Sequence, residues 1–394
     1  MTDAKPSKPR KIKAPRGTRD LYPAEAARRR WLMERWREVS IRHGFEEVDG
    51  PTYEEADLYA VKSGEGILGE LFQAFSGKSP EEVERVKRDG RAGYALRPEF
   101  TPTLARMYAA KANTLPKPCK WFMAGPFFRA ERPQRGRLRE FLQWNVDVLG
   151  LDVPQEKWYA EDAESRAEVA EAKARMDAEC IACVAVFCEQ LGFTPEGDVR
   201  IHISDRSLIM SMLHASGVTN DDMEKALALL DRRNKLDQDA FVTDAEVLGL
   251  NIRAFDELLA QVQIDFAARV DRAHLQHIKH TIHVTPKLVS ELLTEAGEIT
   301  EQDIVQTASE SDRGEKEVVS STSLDYRSLY SLCDHLGALG LREWVTFDPA
   351  IVRGLAYYTG TVFEVIADGE RAVAGGGRYD NLIELFGGPP TPAV

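Results

Sequence analysis

No uninterrupted apolar run in this chain of 394 residues is longer than the nine residues Cys180–Cys188. A spanning helix needs about 20, so no membrane span is expected. The N-terminus, MTDAKPSKPRKIKAPR, places no apolar segment behind its charges and is not expected to be a secretory signal. Cysteine is scarce: five residues without a regular framework exclude a disulfide scaffold and fit a reducing, cytoplasmic compartment. A basic excess is also missing. The chain has 51 Lys+Arg against 64 Asp+Glu, a net charge of −13, which argues against a surface coated in nucleic acid. What remains is ordinary for a globular protein, with 43% hydrophobic and 29% charged residues. The length allows two or three domains, and chains of this size bury about three quarters of their unfolded surface.

The charge is unevenly placed. Residues 1–19 carry seven basic side chains and one acid, whereas residues 291–317 carry nine acids and two bases. A basic leader over 1–15 can attract polyanions or simply be solvated. Ordered structure is expected from about residue 16, with a helix over Pro23–Gly44 whose apolar face holds Ala27, Trp31, Met33, Trp36 and Val39. Strands are expected at 45–49, 93–97, 120–128, 138–149 and 199–204. Between them, residues 155–180 are rich in Ala, Glu, Lys and Arg, a strong helix-forming composition. Residues 207–340 have little strand signal and read as a helical insertion. Strand character returns at 344–347, 362–366 and 371–374. The expected organisation is therefore a leader over 1–15, a first part over 16–206, an insertion over 207–340 and a second part over 341–394.

Two patterns mimic metal sites. Cys180 and Cys183 have C-x-x-C spacing with Cys188 nearby, but no second pair supplies four ligands. Their apolar setting suits buried thiols. His274, His277, His280 and His283 repeat every three residues, and on a helix they would drift around its surface rather than face one ion. No metal-binding residues are assigned.

The densest chemical signal is Phe127-Phe-Arg-Ala-Glu-Arg-Pro-Gln-Arg-Gly-Arg-Leu-Arg-Glu-Phe-Leu-Gln143. Five arginines, 129, 132, 135, 137 and 139, fall within eleven positions between two apolar strands. Guanidinium groups on such a loop offer permanent charge and bidentate donors to phosphates, and Phe141 offers an aromatic face. A solvated hairpin tip would use the same residues. Three further segments bear on the choice: Leu96-Arg-Pro-Glu-Phe-Thr101, Arg353-Gly-Leu-Ala-Tyr-Tyr-Thr-Gly360, and Ala374-Gly-Gly-Gly-Arg-Tyr-Asp380. The last reads as a glycine turn permitting close backbone approach, and it lacks the Lys-Ser/Thr of a P-loop.

Together these segments resemble histidyl-tRNA synthetase, a class II aminoacyl-tRNA synthetase. Ala14-Pro-Arg-Gly-Thr-Arg-Asp20 is similar to the family's N-terminal signature, and Gly44-Phe-Glu-Glu-Val-Asp-Gly-Pro51 to class II motif 1. The arginine hairpin resembles motif 2, and the segments at 353–360 and 374–380 resemble its two histidine-binding signatures. The resemblance implies an α+β fold, the class II catalytic fold: an antiparallel sheet flanked by helices with a helical insertion, paired as a homodimer through motif 1. It implies ATP as a substrate with Mg²⁺, and L-histidine and tRNA(His) as partners. Arg129 and Arg353 would be catalytic, flanking the α-phosphate. Glu131, Arg137 and Phe141 would join Arg129 in binding ATP. Glu99, Phe100, Thr101, Gln143, Asp147, Tyr357, Tyr358 and Tyr379 would line the histidine pocket with both arginines.

The family also carries a third motif and an anticodon-binding domain, neither of which is found before Val394, so a truncated synthetase is expected. Ala356 stands where many members have aspartate, and the stretch 155–178 reads as an added extension. A rival expectation is a non-catalytic histidine sensor of the ATP phosphoribosyltransferase regulatory-subunit type, which need not keep the hairpin arginines.

Overall fold

The computed structural model describes residues 12–63, 65–134, 136–195, 197–233, 236–270, 327–349, 351, 358–367 and 372–394. The chain divides into two compact units, one comprising Met1–Val148 with Asn381–Thr391, the other Leu149–Asp380 with Pro392–Val394.

The first unit opens with α1 (Pro23–Arg42), which begins with proline at its first turn and closes against Gly44, whose N–H donates to Ile41 O at 3.0 Å. Then come β1 (Glu46–Glu47), β2 (Tyr53–Glu55), α2 (Ala56–Ser63), β3 (Gln73–Ala74), α3 (Pro80–Asp89), β4 (Tyr94–Leu96), α4 (Thr101–Ala109), β5 (Cys119–Phe128) and β6 (Glu140–Leu149). Helix α3 is capped at both ends: the Ser79 hydroxyl accepts from Glu82 N–H, and Gly90 closes it in the left-handed region. Strand β1 is shorter than the 45–49 expected from sequence. It pairs in parallel with β5, matching Glu46 to Trp121, and β5 neighbours β6. A second sheet has the order β2-β4-β3, antiparallel throughout.

The second unit holds α5 (Ala163–Gln190), β7 (Val199–Asp205), α6 (Arg206–Ala215), α7 (Met223–Arg232), α8 (Gln238–Val247), α9 (Ile252–Val270), α10 (Arg327–Ala338), β8 (Val345–Phe347), β9 (Thr361–Ala367) and β10 (Ala372–Gly377). Its sheet runs β10-β9-β7-β8, antiparallel except for the parallel pair β7–β8. The expected sheet is therefore mixed, with one parallel pair in each unit. Buried Ile181 and Ala185 of α5, Ile201 and Ile203 of β7, Met212 of α6, Phe255 of α9, Leu332 and Leu336 of α10 and Val365 of β9 share one core.

The described helices between 206 and 340 pack on β7 and β9 within the second unit. The helix of the 155–178 stretch is packed as well. Asp162 caps α5 by accepting from Ser165 N–H at 2.8 Å, and Val169, Ala172, Ala174, Met176 and Ala178 are buried. Alanine gives close packing as well as helix propensity. The thiols of Cys180, Cys183 and Cys188 are buried on the same helix. Among the described residues no helix is long and apolar enough to cross a membrane. The four clustered histidines lie outside the described residues.

Candidate functional site

Strands β5 and β6 form the arms of the arginine hairpin. Arg129 N–H donates to Arg139 O at 2.9 Å, and Gln134 and Arg137 exchange backbone hydrogen bonds of 3.1 and 3.0 Å near the tip. Gly136 turns the tip at φ +75°, a conformation other residues resist. Arg135 lies outside the described residues. The arginines have different fates. Arg132 and Arg137 are exposed, and Arg137 lies 3.7 Å from the Glu131 carboxylate. Arg139 folds back, donating to Glu131 O at 3.0 Å over the Phe72 ring. Arg129 faces inward: its Nε donates to Pro98 O at 3.2 Å and its guanidinium carbon lies 5.2 Å from the Phe141 ring centroid. Phe141 neighbours Phe127 at 6.4 Å.

Alternation along β6 decides which residues share that face. Trp144 points to α1, where it stacks on Trp36 at 6.1 Å and donates Nε1–H to Ser40 Oγ at 2.9 Å. Phe141, Gln143, Asn145 and Asp147 consequently line the opposite face, with Arg129. Gln143 Oε1 and Asn145 Nδ2 are buried without a hydrogen-bond partner among the described residues, and Asp147 is buried. Asn145 was not singled out from sequence, though its place two residues from Gln143 could have marked it. A separate cavity of about 310 Å³ on the α1 side is lined by Arg19, Arg28, Arg29, Leu32 and Leu142, and of the predicted residues only Phe141 reaches it.

Glu99, Phe100 and Thr101 stand at the start of α4. The Glu99 carboxylate pairs with the Lys62 ammonium of α2. Thr101 is half-buried as the first helical residue. Phe100 is wholly buried, so its side chain fills the core instead of lining a pocket, a correction to its predicted role. Nearby, burial pushes the Tyr59 hydroxyl well above the ordinary tyrosine range. Sequence reasoning passed over Lys62 and Arg97. Arg97 is buried, with Nε donating to Pro126 O at 3.0 Å and Nη1 to Asp49 Oδ1 and Gly50 O at 3.1 and 3.0 Å, its guanidinium carbon 5.0 Å from the Phe127 centroid. It ties the end of the 44–51 segment to β5.

The N-terminal signature clamps the hairpin from outside. Gly17 O accepts from Arg139 N–H at 2.8 Å, and a Cβ at Gly17 would sit 2.8 Å from Arg139 Cγ and 2.9 Å from Pro133 Cγ, at φ +87°. Gly17→Ala is expected to cost about 1–2 kcal/mol from the left-handed backbone alone. It should also loosen the hairpin, raising the KM for a nucleotide several-fold in steady-state kinetics. An unchanged KM would detach the clamp from nucleotide binding.

In the second unit, Tyr358 is half-buried and Tyr379 is buried, whereas Arg353 and Tyr357 lie outside the described residues. The glycine turn expected at 374–380 is corrected: Gly375, Gly376 and Gly377 belong to β10, paired with Glu364, Phe363 and Val362. Glycine is there for closeness across the sheet. A Cβ at Gly376 would lie 2.7 Å from the Phe363 ring, and one at Gly377 2.7 Å from Thr361 O. Beyond the strand, Arg378 N–H donates to Thr361 O at 2.8 Å, Thr359 N–H to Arg378 O at 2.7 Å, and Asp380 N–H to Thr359 Oγ1 at 3.1 Å. The two signature segments are thus stitched together. Burial works to raise the Asp380 carboxyl, but the charges of Arg378 and Lys173 outweigh it and hold it below the usual range.

A family model described as histidyl-tRNA synthetase matches residues 17–160 and 167–394. The histidine–tRNA ligase of Haloarcula marismortui is 35% identical over 382 residues, covering 96% of this chain and 71% of that protein. That of Opitutus terrae is 34% identical over 381 residues, covering 96% and 70%. Among solved structures, a Bacillus halodurans protein named as an ATP phosphoribosyltransferase regulatory subunit/histidyl-tRNA synthetase aligns with a TM-score of 0.63 at 19% identity, covering 98% of this chain and 80% of that one. A histidine–tRNA ligase subunit from Alicyclobacillus acidocaldarius aligns with a TM-score of 0.60 at 22% identity, covering 98% and 94%. These neighbours carry the class II fold. The chain belongs to the histidyl-tRNA synthetase family, and its relatives from Haloarcula marismortui and Opitutus terrae are named as histidine–tRNA ligases.

Proposed function

We propose that this chain activates L-histidine with ATP to form histidyl-adenylate and transfers the histidyl group to tRNA(His), as a cytoplasmic homodimer. The observation that carries this reading is Arg129, turned inward beside Phe141 on the face that also presents Gln143 and Asp147. In the first step the histidine carboxylate attacks the α-phosphorus and pyrophosphate leaves. The carboxylate is already ionised near pH 7, so no general base is required. Positioning and charge stabilisation suffice, as in phosphoryl transfer. Arg129 and Arg353 stabilise the charge that develops on the α-phosphate. Phe141 stacks on adenine, Glu131 receives its amino group, and Arg137 reaches the outer phosphates. Glu99, Thr101, Gln143, Asp147, Tyr357, Tyr358 and Tyr379 receive the amino acid.

Mg²⁺ would be held mainly by the phosphates and water, its usual manner with nucleotides, and it would neutralise phosphate charge. A pocket that hydrogen-bonds both imidazole nitrogens rejects phenylalanine by roughly 10⁴–10⁵ because its own polar groups would go unpaired.

A second reading, a non-catalytic histidine sensor, draws on the double name of the Bacillus halodurans protein. The retained hairpin arginines favour the ligase. Histidine-dependent ATP–pyrophosphate exchange decides between them. Exchange with histidine and not with phenylalanine is expected. Histidine binding without exchange would replace the ligase reading with the sensor.

A further inference from the structure

Helix α5 sends two oppositely charged side chains, Lys173 and Asp177, into the same unit's signature segment. They are four residues apart and so lie one above the other on one helix face. They do not satisfy each other. Asp177 holds Arg378 through both carboxylate oxygens, at 2.5 Å to Nη2 and 3.3 Å to Nε, and Lys173 Nζ lies 2.6 Å from Asp380 Oδ2. Arg378 also donates Nη1–H to Asp380 Oδ1 at 3.1 Å and Nη2–H to Lys173 O at 3.0 Å. The side chains of Arg378 and Asp177 are 4% and 3% exposed, and those of Lys173 and Asp380 are 27% and 12% exposed. Two positive and two negative groups make the cluster neutral.

An ion cluster of this kind is a poor device for stability, since apolar residues of similar volume often serve as well or better. Its value lies in fixing one arrangement. Arg378 and Asp380 bracket Tyr379, and their backbones pair with Thr359 and Thr361, at the end of the 353–360 signature. Asp380 Oδ1 further accepts from Ala393 N–H at 3.1 Å, while Tyr379 N–H donates to Ala393 O at 2.8 Å. Asp205, buried nearby at the N-terminus of α6, is a further carboxylate close to Asp177. Its carboxylate accepts from Leu208 N–H at 3.0 Å and from the Ser328 hydroxyl at 3.2 Å.

We infer that Lys173 and Asp177 are positioning residues for histidine: through Arg378 and Asp380 they hold residues 358–361, at the end of the first histidine-binding signature, in register with residues 375–380 of the second. This rests on the functional reading above. Neither residue contacts substrate in this scheme, and a segment that reads from sequence as an extension becomes the support of the segments that carry Tyr358 and Tyr379.

The test is peptide-resolved hydrogen–deuterium exchange on the full chain, together with KM values for histidine and ATP. Lys173→Met is the principal variant, because its side chain is the most exposed of the four, and Asp177→Asn is the second. In Lys173→Met, exchange should accelerate at least tenfold at 358–361 and 375–380 and stay unchanged in β5 and β6. The KM for histidine should rise at least tenfold, that for ATP should move less than twofold, and Lys173→Arg should restore both measurements. Unchanged protection at the two segments, a uniform loss throughout the second unit, or equal shifts in both KM values would overturn the inference. If the unaltered chain shows no histidine-dependent pyrophosphate exchange, the ligase reading fails by itself, and the hydrogen-exchange pattern alone then decides whether α5 holds the segments.

Discussion

Arg129→Ala is expected to lower histidine-dependent pyrophosphate exchange by about 10²–10³, the effect of removing one charge-stabilising donor, or roughly 2.7–4 kcal/mol. The loss should fall on the rate more than on histidine affinity, because charge on the α-phosphate grows only as the reaction proceeds. Stability should fall by no more than about 1–2 kcal/mol, far too little to account for the loss of rate. Among the described residues Arg129 makes one side-chain hydrogen bond, to Pro98 O, and lies over Phe141. A net hydrogen bond contributes about 1 kcal/mol and a partly exposed cation–π contact about 0.5–1 kcal/mol. Arg129→Lys should recover only part of the activity, since an ammonium keeps the charge and loses the planar fork. Exchange kinetics and thermal unfolding on the same three proteins separate these effects. A fall of less than tenfold in the alanine variant would move Arg129 away from the reacting phosphate.

The positions of β5 and β6 are legible in sequence because apolar strands flank a polar loop with Pro133 and Gly136, and both strands lie within a few residues of expectation. The face of β6 is legible too, since alternation alone places Phe141, Gln143 and Asp147 together. What the sequence could not divide was the arginine set. Arg129 and Arg139 turn inward while Arg132 and Arg137 stay outside, and only contacts with Pro98, Phe72 and Gly17 make that division. The same limit applies to α5. Its Ala/Glu/Lys/Arg composition marks the helix, yet the partners of Lys173 and Asp177 are more than 200 residues away, and a Lys four residues before an Asp looks like a solvated pair. Phe100 is misplaced by sequence for a related reason. Its neighbours Glu99 and Thr101 are polar, and nothing local says that the ring between them points into the core.

The three glycines at 375–377 read as a turn in sequence because glycine permits unusual backbone angles, but here they serve a strand, and this gives a second expected effect, on stability. Gly377→Ala would place a methyl group 2.7 Å from Thr361 O and 2.9 Å from the Tyr358 ring. The carbonyl has little freedom to retreat, because it accepts the Arg378 N–H at 2.8 Å, and Arg378 is itself pinned by Asp177 and Asp380. Overpacking of this kind costs about 1–3 kcal/mol and occasionally more. The lower chain entropy of alanine returns about 0.5–1 kcal/mol. The net loss should be about 1 kcal/mol, which lowers the Tm of a unit of this size by roughly 2–4 °C. Gly376→Ala meets a ring edge rather than a carbonyl, and Phe363 can tilt, so its cost should be smaller. Val373→Thr, at an exposed position of the same strand, should be neutral. Thermal unfolding of the three variants ranks them directly. An ordering in which Gly377→Ala matched Val373→Thr would mean that the strand can widen at this point. In that case the contact between the two signature segments could not hold Tyr358 against β10, and the tight register proposed for the histidine pocket would lose its support.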